Sequence, residues 1–120
     1  MSELQAIVRF TFHDADQVEE FKRISAECLE IVQTKDAGTL QYDTYFNADE
    51  SQCIVLERFV DSDALLLHGQ NMAPLMDAIM ATASVSGELL GDLSDELRAR
   101  MAGGPVGLFT LHQALHRPDA

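Results

Sequence analysis

Two kinds of patterning divide the chain. In five stretches apolar and polar side chains alternate one by one, and elsewhere apolar residues recur at three- and four-residue steps. The first alternation sets Leu4, Ala6, Val8, Phe10 and Phe12 on one face and Gln5, Ile7, Arg9 and Thr11 on the other. It predicts a strand with one apolar and one mixed face. Val18, Phe21, Ser25, Cys28 and Val32 then step along one stripe, widened by Ile24, Leu29 and Ile31. Asp14 or Asp16 offers the N-cap of this helix, Glu19 and Arg23 are spaced for an i,i+4 ion pair, and Gly38 ends it soon after Lys35. Leu40, Tyr42, Thr44 and Phe46 alternate with polar neighbours, as do Cys53, Val55 and Phe59 with Ile54, Leu56 and Arg58. The polar residues 47–52 between them predict a hairpin. Asp61, Ser62 and Asp63 head a second helix. Pro74 is expected to break it into pieces at 63–70 and 72–83, with Asn71 placed to cap the second piece. Residues 84–90 read as a strand and 95–101 as a short helix capped by Ser94. After the breaker Gly103-Gly104-Pro105, residues 106–114 read as a last strand, apolar on both sides.

The resulting order, β-α-β-β-α-β-α-β, opens with the ferredoxin-like split βαβ arrangement, so the expected fold class is α+β. One domain is expected over residues 1–115, with 116–120 as a tail. Both long helices would cover the same face of the sheet. The other face carries apolar side chains and needs a cover, which a homodimer packing sheet on sheet provides. The last strand is long enough to reach a second subunit.

Composition removes several function classes. The 8 basic and 20 acidic side chains leave a net charge of −12, which repels phosphate backbones and anionic lipid, so neither nucleic acid nor a membrane surface is an expected partner. Cys28 lies on a helical apolar stripe and Cys53 inside a strand, without metal-ligand spacing. Buried reduced thiols suit a cytoplasmic protein. No apolar run approaches a membrane span, and the first residues show no basic region followed by an apolar stretch, so no signal peptide is expected.

Ala37-Gly-Thr-Leu-Gln-Tyr-Asp43, followed by the segment from Cys53 through Glu57-Arg-Phe59 and the Asp61-Ser62 cap to His68, resembles the antibiotic biosynthesis monooxygenase (ABM) domain of the dimeric α+β barrel superfamily. The resemblance covers residues 4 to about 83, and the segment around Glu88 and Ser94 resembles a subset with an additional helix. It implies a homodimer with one pocket per subunit between sheet and helices. It further implies a cofactor-independent monooxygenase that uses neither metal nor flavin, the substrates being dioxygen and a small aromatic quinol, anthrone or polyketide-like phenol. The alternative it leaves open is a non-catalytic binding module for a flat apolar metabolite or haem. Family oxygenases often carry tryptophan where Phe59 stands, and the haem-degrading branch uses an asparagine on the first strand, which has none here.

Against that background the candidate residues are few. His68 holds a position where the family carries a histidine near the pocket, and its helical phase places it toward the sheet with Leu65 and Met72; it is either a general base or a structural histidine. Asn71 is either a helix cap or a donor to substrate oxygen. Tyr42 and Glu57 are expected to oppose each other across the hairpin, where Glu57 needs a partner or acts as a base of raised pKa. Arg58 points to the other face, toward Asp43 or a second subunit. Phe59, Met72 and Met76 are candidate walls for a flat substrate, against the plainer role of core filling. His112 lines either a pocket or a dimer seam, while His13 and His116 are expected to be exposed. No cluster has metal-ligand spacing.

Overall fold

A computed structural model describes residues 3–118. The first two residues of the expected domain and the last two of the expected tail lie outside the described residues. The chain runs β1 (Leu4–Phe12), a 3-10 turn (Ala15–Gln17), α1 (Val18–Lys35), β2 (Thr39–Phe46), β3 (Gln52–Phe59), α2 (Ser62–Thr82), β4 (Ala83–Leu90), α3 (Asp95–Met101) and β5 (Val106–Phe109). This is the expected α+β order. The strands form one sheet in the order β2-β3-β1-β4-β5. The first four pair antiparallel, as in a ferredoxin-like unit, and β5 adds parallel to β4 at the edge.

Both long helices cover one face. Phe21, Ile24, Cys28 and Val32 of α1, with Met72 and Ile79 of α2, pack on Phe10, Phe12, Cys53, Val55 and Ala83. Phe21 meets Phe10 and Phe12 at ring-centroid distances of 5.1 and 4.9 Å, in the tilted geometries that aromatic quadrupoles favour. A second cluster joins Leu4, Ala6, Phe59 and Leu89 of the sheet to Ala64 of α2 and Leu97 of α3. The opposite face stays uncovered within this chain. It carries Ile7, Ile54 and Leu56 half-buried, and the Arg9–Glu88 pair crosses it at 2.8 Å.

Several local expectations are corrected. The second helix is not broken at Pro74 but runs through it from Ser62 to Thr82. Pro74 and Gln70 are both exposed, so water can satisfy the Gln70 carbonyl that loses its N–H, and the buried stripe on the opposite side holds the helix together. Asn71 therefore caps nothing. The last strand stops at Phe109, because Phe109 is paired with Leu90, the end of β4, and Gly91 (φ 131°) turns the chain away. β5 pairs within its own chain, and residues 110–118 follow it exposed and without regular structure. In β2 a register shift between Thr39 and Gln41 sets Thr39 opposite Phe59, so Leu40 bulges outward. Arg23 pairs with Glu20 at 2.7 Å and Glu27 at 3.0 Å rather than with Glu19. Arg58 does face away from the helices but takes Glu3 at 2.7 Å, while Asp43 accepts from Gln41. Among the described residues no helix is long and apolar enough to cross a membrane.

Candidate active site

The site forms where the end of α1, the start of β2 and the buried stripe of α2 meet. α1 stops at Asp36, whose backbone (φ −105°, ψ 71°) leaves the helical region. Asp61 starts α2 by accepting a hydrogen bond from the Ala64 N–H at 2.9 Å, which fixes the phase in which Ala64, His68 and Met72 turn inward. Gly38 sets the spacing. A Cβ there would lie 2.5 Å from Ala64 Cβ, so only glycine lets β2 pass the first turn of α2 this closely. The Gly38 carbonyl also accepts from Val60 N–H at 2.9 Å, tying the two segments together.

This packing brings five polar side chains into one largely buried array. His68 Nδ1 lies 2.7 Å from Asp36 Oδ2, and Asn71 Nδ2 donates to Asp36 Oδ1 at 2.5 Å. Asp36 is 4 % exposed, so its carboxylate is held by these donors in place of water. A carboxylate on Nδ1 assigns the proton to that nitrogen and leaves Nε2 as the basic one. His68 Nε2 points toward Glu57, whose Oε1 is 3.8 Å away, too far for a direct hydrogen bond. Burial, with the nearby Asp36 charge adding to it, pushes the Glu57 carboxyl up to about 8. The group is then mostly protonated at neutral pH and able to donate. Tyr42 pairs with Glu57 across the β2–β3 ladder, as expected, and its ring lies 5.7 Å from the imidazole. Burial first, and Glu57 second, push the Tyr42 phenol well above its ordinary range and keep it neutral. Phe59 closes the other side, 5.4 Å from the His68 ring and fully buried.

The array joins a base oriented by a carboxylate to a neutral carboxylic acid and a neutral phenol. It can take a proton at His68 Nε2, stabilise the resulting imidazolium through Asp36, and offer donors to a developing oxyanion. Among the described residues no group of three or more His, Cys, Asp or Glu is placed to hold a metal ion. Here the potential ligands are directed at one another rather than at a common centre.

His68, Asn71, Tyr42, Glu57 and Phe59 are thus brought together. Met72 is buried behind them in the core, Met76 is 36 % exposed, and His112 lies in the exposed segment after β5, beside Phe109 and Gly91. Sequence reasoning missed Asp36, the hub of the array. A signal existed, because an acidic residue directly after the last turn of α1 stands at the negative pole of the helix dipole, where cations are favoured.

No family model and no curated protein sequence matches the chain. Solved structures do. MupZ from Pseudomonas fluorescens is 29% identical, with a TM-score of 0.85 over 97% of this chain and 95% of that one. SnoaB from Streptomyces nogalater, described as a cofactor-independent oxygenase, is 19% identical, with a TM-score of 0.65 over 77% of this chain and 94% of its own. A protein from Caulobacter crescentus, provisionally described as an antibiotic biosynthesis monooxygenase, is 19% identical, with a TM-score of 0.68 over 78% and 92%. The chain has the antibiotic biosynthesis monooxygenase fold. The match to MupZ spans nearly the whole chain and so takes in α3 and β5.

Proposed function

We propose that this ABM-fold chain is a cofactor-independent monooxygenase, acting as a cytoplasmic homodimer on a small aromatic quinol, anthrone or polyketide-like phenol with dioxygen. The observation that carries the reading is the buried Asp36–His68 pair, with Nε2 directed toward Glu57. In this reading His68 Nε2 takes the phenolic proton, and Asp36 holds the imidazolium that forms. The phenolate is electron-rich enough to pass an electron to dioxygen. With an anthrone, one oxygen atom becomes the new carbonyl oxygen of the quinone and the other leaves as water, so no further reductant is needed. Glu57 and the Tyr42 hydroxyl serve as neutral donors to the oxyanion, and Phe59 supplies an apolar wall. Asn71 acts at one remove, since its amide is engaged by Asp36.

A second reading, binding of a flat apolar metabolite or haem without turnover, is favoured by one feature: Phe59 is fully buried against the imidazole and closes the site on that side. Oxygen uptake separates the two. A panel of quinols and anthrones, with no added metal or flavin, is presented to wild type and His68→Ala. Uptake by wild type that His68→Ala loses supports the oxygenase. Ligand retention by both proteins without uptake supports the binding module.

A further inference from the structure

The array pairs a base with an acid, and removing a phenolic proton needs the base alone. His68 Nε2 and Glu57 Oε1 stand 3.8 Å apart inside the fold, their side chains only 10% and 8% exposed. Asp36 holds Nδ1 at 2.7 Å, so the basic nitrogen is the one on the Glu57 side. Glu57 shares the inward face of β3 with Cys53, Val55 and Phe59, and Ala6 stands opposite it on β1. Burial among these groups holds its carboxyl up at about 8, protonated at neutral pH. Tyr42, opposite it on β2, adds a second neutral O–H. A buried base beside two neutral oxygen acids meets the demands of enolisation. The C–H next to a carbonyl is too weak an acid for imidazole unless the carbonyl oxygen is neutralised as it gains charge.

We infer that this array enolises a small neutral ketone without dioxygen, His68 Nε2 taking the proton from the carbon beside the carbonyl and Glu57 protonating the carbonyl oxygen. The step balances with no oxidant. The C–H electron pair becomes the C=C bond of the enol, the carbonyl π pair moves onto oxygen, and that oxygen takes the Glu57 proton. The array is left as imidazolium and carboxylate, with Asp36 balancing the imidazolium. A small rotation of the Glu57 side chain then lets Nε2 pass its proton to Oε1, which restores both groups. Charge selects the ligand. None of the five side chains is a lysine or arginine and Asp36 contributes a carboxylate, so a neutral ketone is favoured over a keto acid. A cleft of about 340 Å³ bordered by Asp36 and Tyr42, with Leu29 and Val32 as apolar walls, is large enough for a two-ring molecule. The inference goes beyond the oxygenase reading, using the same base for a product that contains no new oxygen.

The test is deuterium exchange into 2-tetralone, at the carbon between its aromatic ring and its carbonyl. Proton NMR in deuterium oxide under argon follows it with the full-length protein. Wild type is expected to exchange about 10³-fold faster than buffer alone, and His68→Ala at the buffer rate. Glu57→Gln keeps the shape and a hydrogen-bond donor but has no proton to give, and should exchange about 10²-fold more slowly than wild type. The pH profile separates a proton donor from a residue that only shapes the fold. The wild-type rate above background should fall as pH rises through about 8, where Glu57 loses its proton, and the Glu57→Gln rate should not. The titratable groups facing Glu57 in that profile are His68 of α2, Asp36 and Cys28 from α1 and its end, and Tyr42 of β2; Ala6 of β1 does not titrate. Exchange at the buffer rate, exchange untouched by Glu57→Gln, or a wild-type profile without the fall overturns the inference. Exchange with no oxygen uptake on any substrate removes the oxygenase reading and leaves this one. Uptake that His68→Ala loses, without exchange, does the reverse.

Discussion

His68 Nδ1 meets Asp36 Oδ2 at 2.7 Å, which joins the C-terminal end of α1 to the buried stripe of α2. In the proposed mechanism Asp36 orients the imidazole and balances the charge it gains as a base. Asp36→Asn keeps the size of the side chain and removes that charge, so the imidazolium loses its counter-ion. The expected outcome is a fall in kcat of about 10²–10⁴-fold, the range that a well-placed base supplies, with little change in KM. Steady-state oxygen uptake on whichever substrate the panel identifies measures it. An unchanged kcat would show that the pair is structural only.

Glu57 makes a prediction that needs no substrate. Burial and the Asp36 charge hold its carboxyl up at about 8, against about 4.3 for a free glutamate. Between those values the folded chain keeps a proton that the unfolded chain has released. The stability contributed by neutral Glu57 is therefore fully present below about pH 4 and lost as pH rises through about 8. Glu57→Gln has no proton to lose. Melting temperatures from pH 5 to 9 at fixed ionic strength should fall more steeply for wild type than for the variant. Parallel slopes would show that Glu57 is not the group responsible. The groups around it that enter the same balance are Asp36, His68, Tyr42 and Cys28.

The uncovered sheet face predicts the assembly. Ile7, Ile54 and Leu56 lie on it half-buried, on the side away from both long helices. If a second copy covers this face, light scattering should report twice the 13.2 kDa chain mass. Leu56→Asp should then return the protein to monomer with its secondary structure retained, because a carboxylate in a sheet-on-sheet interface is left without water or partner. A monomeric wild type at micromolar concentration would remove the homodimer from the proposal.

The fold was more legible in the sequence than the site, for a physical reason. Alternation in β1 and β3, the Asp61 and Ser94 caps and the Tyr42–Glu57 pairing depend on neighbours along one strand, one helix or one hairpin, and each was readable from spacing. Pro74 misled because its effect depends on exposure: a proline on the solvent side of a helix leaves its orphaned carbonyl to water. Leu40 misled because a bulge shifts register without any local signature. Asp36 was invisible as a partner of His68 because the contact joins two separate helices, and its one local sign, an acid at the negative end of α1, was electrostatic rather than periodic.

Gly87 tests whether the sheet is packed as described, independently of any activity. It lies in β4 opposite Val8 of β1, on the helix-covered side with Val85 and Leu89. A Cβ at this position would overlap the Ile7 carbonyl oxygen and sit 3.1 Å from Val8 Cα, both backbone atoms of the central strand that no rotamer change can move. Gly87→Ala must therefore push β4 away from β1, at a cost of about 1–3 kcal/mol by analogy with overpacked cores. Ser86→Ala, one residue earlier and exposed on the other face, should stay within about 0.5 kcal/mol of wild type. Denaturant midpoints for the two variants decide the matter. Equal stability would mean that β4 does not approach β1 this closely, and the position of α2, which runs directly into β4, would have to be reconsidered along with it.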